Sequence, residues 1–251
     1  VAAPLDVPGC TLWLDAQQET YADGALVTTW TDRSGAGNHA VVDGSKYPIF
    51  DVDGMNDLPA LRFDVAGDDG KALLLPGGIF DVGSGTTFLV AKFRSFVGPN
   101  GARMALAAGD ISGRDIRRRW YFYVDQQMRL AAGPTGYSRD PQYIELFEPT
   151  TETRVWALRS NGTDTFSRMK CGRSLDSGTE AERDTVPSYT GASSTAGLIG
   201  RFYGETQWHD GWIGELVHFS RPLSEGETAA LFEHLAVKWR ATCGGWKVGR
   251  L

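Results

Sequence analysis

Trp208 lies in the stretch Tyr203-Gly204-Glu205-Thr206-Gln207-Trp208-His209-Asp210-Gly211, an indole set among groups that bond hydroxyls. An exposed indole offers a flat apolar face against which the C–H groups of a sugar ring stack, while Asp, His and Gln side chains hydrogen-bond the sugar hydroxyls. Trp208, His209, Asp210 and Tyr203 are therefore candidate ligand-binding residues. The competing reading is a tryptophan folded back over the edge of a core, because loop aromatics commonly cap one. A second aromatic and polar loop, from Gly133 to Tyr143, adds Tyr137 and Arg139 as candidates.

Catalytic spacings are harder to find. A retaining glycosidase needs two carboxylates about 5 to 5.5 Å apart, and on one strand that means alternate positions facing one side. Glu145 and Glu148 have the wrong spacing, and Glu180, Glu182 and Asp184 fall in a stretch from Asp176 to Ser194 that reads as a long exposed loop, rich in Ser, Thr, Gly and charge. No Gly-x-Ser-x-Gly elbow supports a Ser-His-Asp set. The expectation is a chain that is not an enzyme.

Charge narrows the partners. With 25 basic and 31 acidic residues the net charge is −6, and nucleic-acid binding, which needs a positive face, is not expected. Arg114, Arg117, Arg118 and Arg119 are a local exception, read either as a solvated loop ahead of a strand at Trp120 or as a contact for an acidic glycan or protein. No apolar run approaches the roughly 18 residues of a membrane span. The first residues show no basic segment followed by an apolar one, so any leader has been removed or never existed. Of three cysteines, Cys10 and Cys243 can pair if the chain ends meet, which leaves Cys171 free or available for an intermolecular disulfide.

Positioning such loops falls to strands. Candidates are Thr11 to Asp15, Ala60 to Asp64, Thr86 to Phe93, Ala102 to Ala108, Trp120 to Val124, Met128 to Ala132, Thr153 to Ser160, Thr165 to Cys171, Gly197 to Phe202 and Gly211 to Ser220, broken by 31 glycines and 11 prolines. Many short strands with almost no helix signal indicate a sandwich. The exception is the end: Ser224 and Glu227 have the spacing of a capping box, and Leu231, Phe232, Leu235, Ala236 and Trp239 share one helical face. A helix over about 224–241 is predicted, ended by Gly244-Gly245, with a tail over 242–251 and one domain spanning 1–251. Trp13, Trp30, Trp156, Trp212 and Trp239 lie in strand or helix patterns and take the core reading.

Pro8 to Ala16, Trp30 to Ala40 and Leu61-Arg62-Phe63-Asp64, followed at the other end by Gly211 to Trp239, resemble the two ends of bacterial and phage laminin-G-like modules. The resemblance implies a concanavalin A-like jelly roll, an all-β sandwich of two antiparallel sheets, with one short C-terminal helix. Val65 departs from the glycine often found there, and the middle of the chain, from about Phe93 to Gly197, matches no such motif. The loop from Asp32 to Asn38 makes sense as a tight turn built by Asp, Asn and glycine. Because some members of the superfamily hold calcium, the resemblance also makes Asp32, Asn38 and Asp64 candidate oxygen ligands. Glucanase and lyase motifs of the superfamily are absent, and Ser174 to Thr179 resembles a single sialidase Asp box without its tryptophan. The resulting expectation is a non-catalytic interaction module outside a cell or on a virion surface, such as a phage fibre, collar or decoration component, binding a glycan or a neighbouring protein. A purely structural assembly protein and an unrecognised glycan hydrolase or lyase are the alternatives.

Overall fold

The computed structural model describes residues 2–64, 70–80, 84–94, 103–110, 115–122, 128–132, 143–147, 151–161, 166–171, 181–183, 196–201 and 208–241. Its strands are β1 (Cys10–Asp15), β2 (Thr29–Trp30), β3 (Ala40–Val42), β4 (Ile49–Met55), β5 (Leu58–Phe63), β6 (Leu73–Pro76), β7 (Ser84–Phe93), β8 (Arg103–Asp110), β9 (Asp115–Phe122), β10 (Met128–Ala132), β11 (Tyr143–Phe147), β12 (Arg154–Asn161), β13 (Phe166–Cys171), β14 (Ala181–Arg183), β15 (Ala196–Ile199) and β16 (Gly211–Phe219), followed by helix α1 (Glu225–Lys238). One sheet runs β14-β13-β12-β7-β16-β5-β4 with β1 also on β16; the other runs β11-β10-β9-β8-β15-β6-β3-β2. The pairings are antiparallel, and Leu61, Phe63, Leu89, Phe93 and Ile213 of the first sheet share one core with Ala40, Leu73, Leu75, Leu106 and Ile199 of the second. The fold is an all-β sandwich with a helix near the C-terminal end. No helix among the described residues is long and apolar enough to cross a membrane.

β16 is the axis of the first sheet. It lies along β7 for its whole length, while its other edge is shared, Gly211 to Ile213 facing β5 and Glu215 to Phe219 facing β1. The register against β7 slips once, Ile213 opposite Ala91 but Glu215 opposite Val90, so Gly214 is an extra residue. A bulge of this kind shifts the in-out alternation by one. Trp212 and Glu215, three residues apart, consequently both point away from the core, while Ile213 and Leu216 both point into it. Glycine is required because a Cβ at 214 would stand 2.5 Å from the Trp239 ring and 2.6 Å from the Met55 methyl.

Helix α1 covers part of that outer face. Ser224 accepts from the Glu227 backbone N–H at 3.3 Å and Glu227 accepts from the Ser224 N–H at 2.7 Å, the reciprocal box that the sequence predicts. Arg221 donates twice to the Glu227 carboxylate and once to the Pro8 carbonyl, so the helix start is tied to the first strand's approach. The helix stops earlier than Gly244. Arg240 takes a left-handed conformation at φ 49, and the Ala241 N–H returns to Ala236 O while the Arg240 N–H returns to Val237 O, the bonding of a Schellman end. Asn56 makes this tolerable for a non-glycine by donating to the Trp239 and Arg240 carbonyls at 2.8 and 3.0 Å.

Other expectations need correction. Arg117, Arg118 and Arg119 belong to β9 and not to a loop before it, and Ala181–Arg183 is a strand inside the stretch expected to be loop. Strands β2, β3, β4, β6 and β11 were not anticipated, and Gly200, at φ +88, ends β15 before residue 202.

The Arg221 guanidinium first, then the Ser224 backbone and hydroxyl donors, hold the Glu227 carboxyl down at about 2. A carboxyl depressed on folding stabilises the fold above its unfolded value and loses that contribution as pH falls through the folded one. Stability is expected to decline between its ordinary 4.5 and about 2, and Glu227→Gln is expected to make that decline shallower, as read by urea midpoints against pH. Ser224→Ala, which removes the cap acceptor, is expected to cost about 1 kcal/mol in the same measurement at neutral pH.

Candidate functional site

The outer face of the first sheet has two halves. Under α1, Glu215 is fully buried, and its carboxylate accepts from the Trp13 indole at 2.7 Å, Lys238 at 2.7 Å and the Trp239 indole. Lys238 also bonds Asp15, directly opposite Glu215 on β1, at 2.7 Å. Burial, and then the Asp15 charge, push the Glu215 carboxyl above its ordinary value, while Lys238 and Trp239 pull the other way without reversing the shift. Both Glu215 oxygens are engaged with the helix end or β1, and Asp15 is held as well by Gln17 and Gln18 just after β1, so this cluster is a clamp.

The other half is not under the helix. Lys92 of β7, Trp212 of β16 and Arg62 of β5 stand in one cross-strand row, and residues directly opposite in a sheet share a face. Asp51 of β4 and Asp64, each two residues from a member of the row or its partner Ile49, join the same face. The Trp212 indole donates to Asp51 at 2.8 Å, and Arg62 lies 2.9 Å from Asp51 and 3.4 Å from Asp64. Lys92 Nζ stands 5.3 Å from the centre of the Trp212 ring. Gly54 gives the indole its seat: a Cβ there would be 2.8 Å from Trp212 Cδ1. The result is a half-buried, oriented indole ringed by two carboxylates and two cations. Such a surface can stack a sugar ring and bond its hydroxyls.

Sequence reasoning assigned Trp212 to the core because it stands in a strand, and passed over Lys92, Arg62 and Asp51. The signal that could have found them is the isolated Gly214 inside an apolar strand, which marks a bulge. Trp208, by contrast, is only 2% exposed. A Cβ at Gly70 would fall 2.0 Å from its indole, and Lys46 and Arg201 stand 4.8 and 5.5 Å from its ring. The expected exposed ring is thus covered by a segment more than a hundred residues away in sequence. His209 is buried between Phe63 and Phe93, its Nε2 3.4 Å from the Trp212 carbonyl, and Asp210 is paired with Arg94. Tyr203, Tyr137, Arg139 and Ser174 to Thr179 lie outside the described residues.

Asp32 does not stand ready for calcium. Its two oxygens accept from the N–H groups of Trp13, Ser34 and Asn38 and from the Ser34 hydroxyl, all within 2.8 to 2.9 Å. Burial pushes this carboxyl up, but those donors outweigh it and hold it below the usual range. Asn38 donates to Thr11 O, and Asp64 faces Arg62. Among the described residues no group of three or more His, Cys, Asp or Glu side chains is placed to hold a metal. Cys10 carries a free thiol, pushed up to about 12 chiefly by burial. Cys243 and the Cys171 side chain lie outside the described residues.

No family model matches the sequence, and no curated protein matches it. Solved structures do. A Trypanosoma rangeli sialidase in complex with sialic acid superposes with a TM-score of 0.62 at 16% identity, over 94% of this chain and 34% of the sialidase. A botulinum neurotoxin type C structure, from a toxin dependent on interaction with two ganglioside molecules, gives 0.65 at 11%, over 90% and 51%. The binding domain of botulinum neurotoxin DC in complex with rat synaptotagmin II gives 0.62 at 12%, over 90% and 52%. The likeness shows the fold. This chain spans about a third of the sialidase and about half of the toxin structures. The expectation that the chain is not an enzyme is corrected here: enzymes stand among its structural neighbours, and missing motifs do not carry that conclusion.

The two indoles now exchange places, and stability can tell them apart. Truncating a fully buried tryptophan costs about 3 to 5 kcal/mol. Trp208→Ala is expected to fall in that range and Trp212→Ala well below it, measured by urea denaturation of both variants.

Proposed function

We propose that this chain is a glycan-binding β-sandwich of the laminin-G-like kind, taking its ligand on the open half of the outer face around Trp212. The observation that carries the reading is the row Lys92, Trp212, Arg62 with Asp51 and Asp64 beside it: an aromatic face with hydroxyl-bonding groups on both sides. The neighbours support a sugar ligand, since one holds sialic acid and another comes from a toxin dependent on gangliosides. A place outside a cell or on a virion surface goes with this reading and rests on the resemblance of the chain ends to laminin-G-like modules.

A glycan array probed with the wild-type protein and with Trp212→Ala tests it. Saturable retention on a defined set of glycans is expected, weakened about tenfold or more in the variant, as loss of a stacked aromatic contact implies. An array left blank, or retention that Trp212→Ala does not change, overturns the proposal.

A further inference from the structure

The ligand class can be narrowed by following where the charges of this face are already spent. Arg62 divides its guanidinium between Asp51 at 2.9 Å and Asp64 at 3.4 Å, and the Trp212 indole N–H is taken by Asp51 at 2.8 Å. One cation shared between two carboxylates leaves the β4 and β5 side with an excess of negative charge. Lys92, on the β7 side, has no carboxylate within ion-pair distance among the described residues; its ammonium hangs 5.3 Å from the centre of the same indole. The site is therefore polarised across the ring: acceptor carboxylates in excess on one flank, and on the other an ammonium with no carboxylate partner among the described residues. A cation over an aromatic face gains about 0.5 to 1 kcal/mol where exposed. A neutral sugar stacking on the ring would disturb that contact and strip water from the ammonium, giving only hydroxyl bonds in return. A sugar carrying a carboxylate replaces the contact with a charge-assisted hydrogen bond, roughly twice as strong as a neutral one.

We propose that the Trp212 face selects acidic sugars, with the ring on the indole, the carboxylate on Lys92 and the hydroxyls on Asp51 and Asp64. This rests on the glycan-binding reading of the same face. Strand spacing of about 4.8 Å sets Lys92 one strand from the indole, within reach of a substituent on a stacked six-membered ring. Lys92 then acts as a specificity residue, and Trp212 as the residue on which all binding depends.

The test uses glycans in matched pairs that differ only in the terminal sugar, glucuronate against glucose, with affinities measured for wild type, Lys92→Gln, Lys92→Arg and Trp212→Ala. Wild type is expected to favour the glucuronate member about tenfold. Lys92→Gln is expected to lose that preference while keeping the neutral affinity, Lys92→Arg to keep it, and Trp212→Ala to weaken both members. The wild-type preference is also expected to shrink as salt rises from about 0.1 to 1 M, where the screening length falls from about 10 to 3 Å, a readout that needs no variant to fold. Equal binding of both members, lost in Trp212→Ala, overturns the acidic-sugar inference and leaves the glycan-binding reading standing. A preference for glucuronate that survives in Lys92→Gln also overturns it. Binding of neither member, or binding indifferent to Trp212→Ala, overturns both.

Discussion

A carboxylate with no exposure to water, Glu215, sits at the junction of the first strand, the last strand and the helix. Removing one such charge from water costs several kcal/mol unless its lone pairs are filled. Here two indole N–H groups and an ammonium fill them, and each comes from an element that has to be in place: Trp13 from β1, Lys238 from α1 and Trp239 from its C-terminal cap. Lys238 is shared with Asp15, so two carboxylates directly opposite in the sheet are held together by one cation. If the helix lifted, both would be left facing each other without it. The capping box, the Arg221 link to Pro8 and the Asn56 brace on the last turn all hold the helix where this cluster needs it.

The same cluster explains the other half of the face. Glu215 points outward because Gly214 bulges, and the same bulge leaves Trp212 outward as well. Regular alternation would send one of the two into the core. Trp239 closes over Gly214 and marks the limit of the helix's cover. Beyond that limit the sheet shows Trp212, Lys92, Arg62, Asp51 and Asp64, none of which the helix touches in any hydrogen bond or ion pair described. One inserted glycine thus separates a half in which the helix brings Lys238 to Asp15 and Glu215 from an open half in which Lys92 has no carboxylate partner among the described residues.

Much of the fold could be read from residues in order. The capped helix is explicit in Ser224 and Glu227, and long strands such as β7 and β16 declare themselves by apolar content. Short strands fail this test because two to four residues carry no period; β2 and β3 are of this kind. β4 carries Asp51, Asp53 and Gly54, residue types that are poor in strands, and so lacks the apolar run that marks β7 and β16. The site was misread for a different reason. Loop or strand membership says little about exposure, which depends on what arrives from elsewhere in the chain. Gly70, Lys46 and Arg201 cover Trp208, whereas Gly54 seats Trp212 without covering it. Asp32 shows the limit again: its oxygen-rich loop suits a cation, but Trp13 and the loop's own N–H groups occupy those oxygens.

Hydroxyl-radical footprinting, read tryptophan by tryptophan by mass spectrometry, examines this division of the surface most directly. Trp212 is expected to oxidise well ahead of Trp208, Trp30, Trp156 and Trp239, and to be shielded when a retained glycan is bound. Rapid oxidation of Trp208 with Trp212 protected in the free protein would contradict the account, because the bulge would then not be presenting the indole that the proposed site requires.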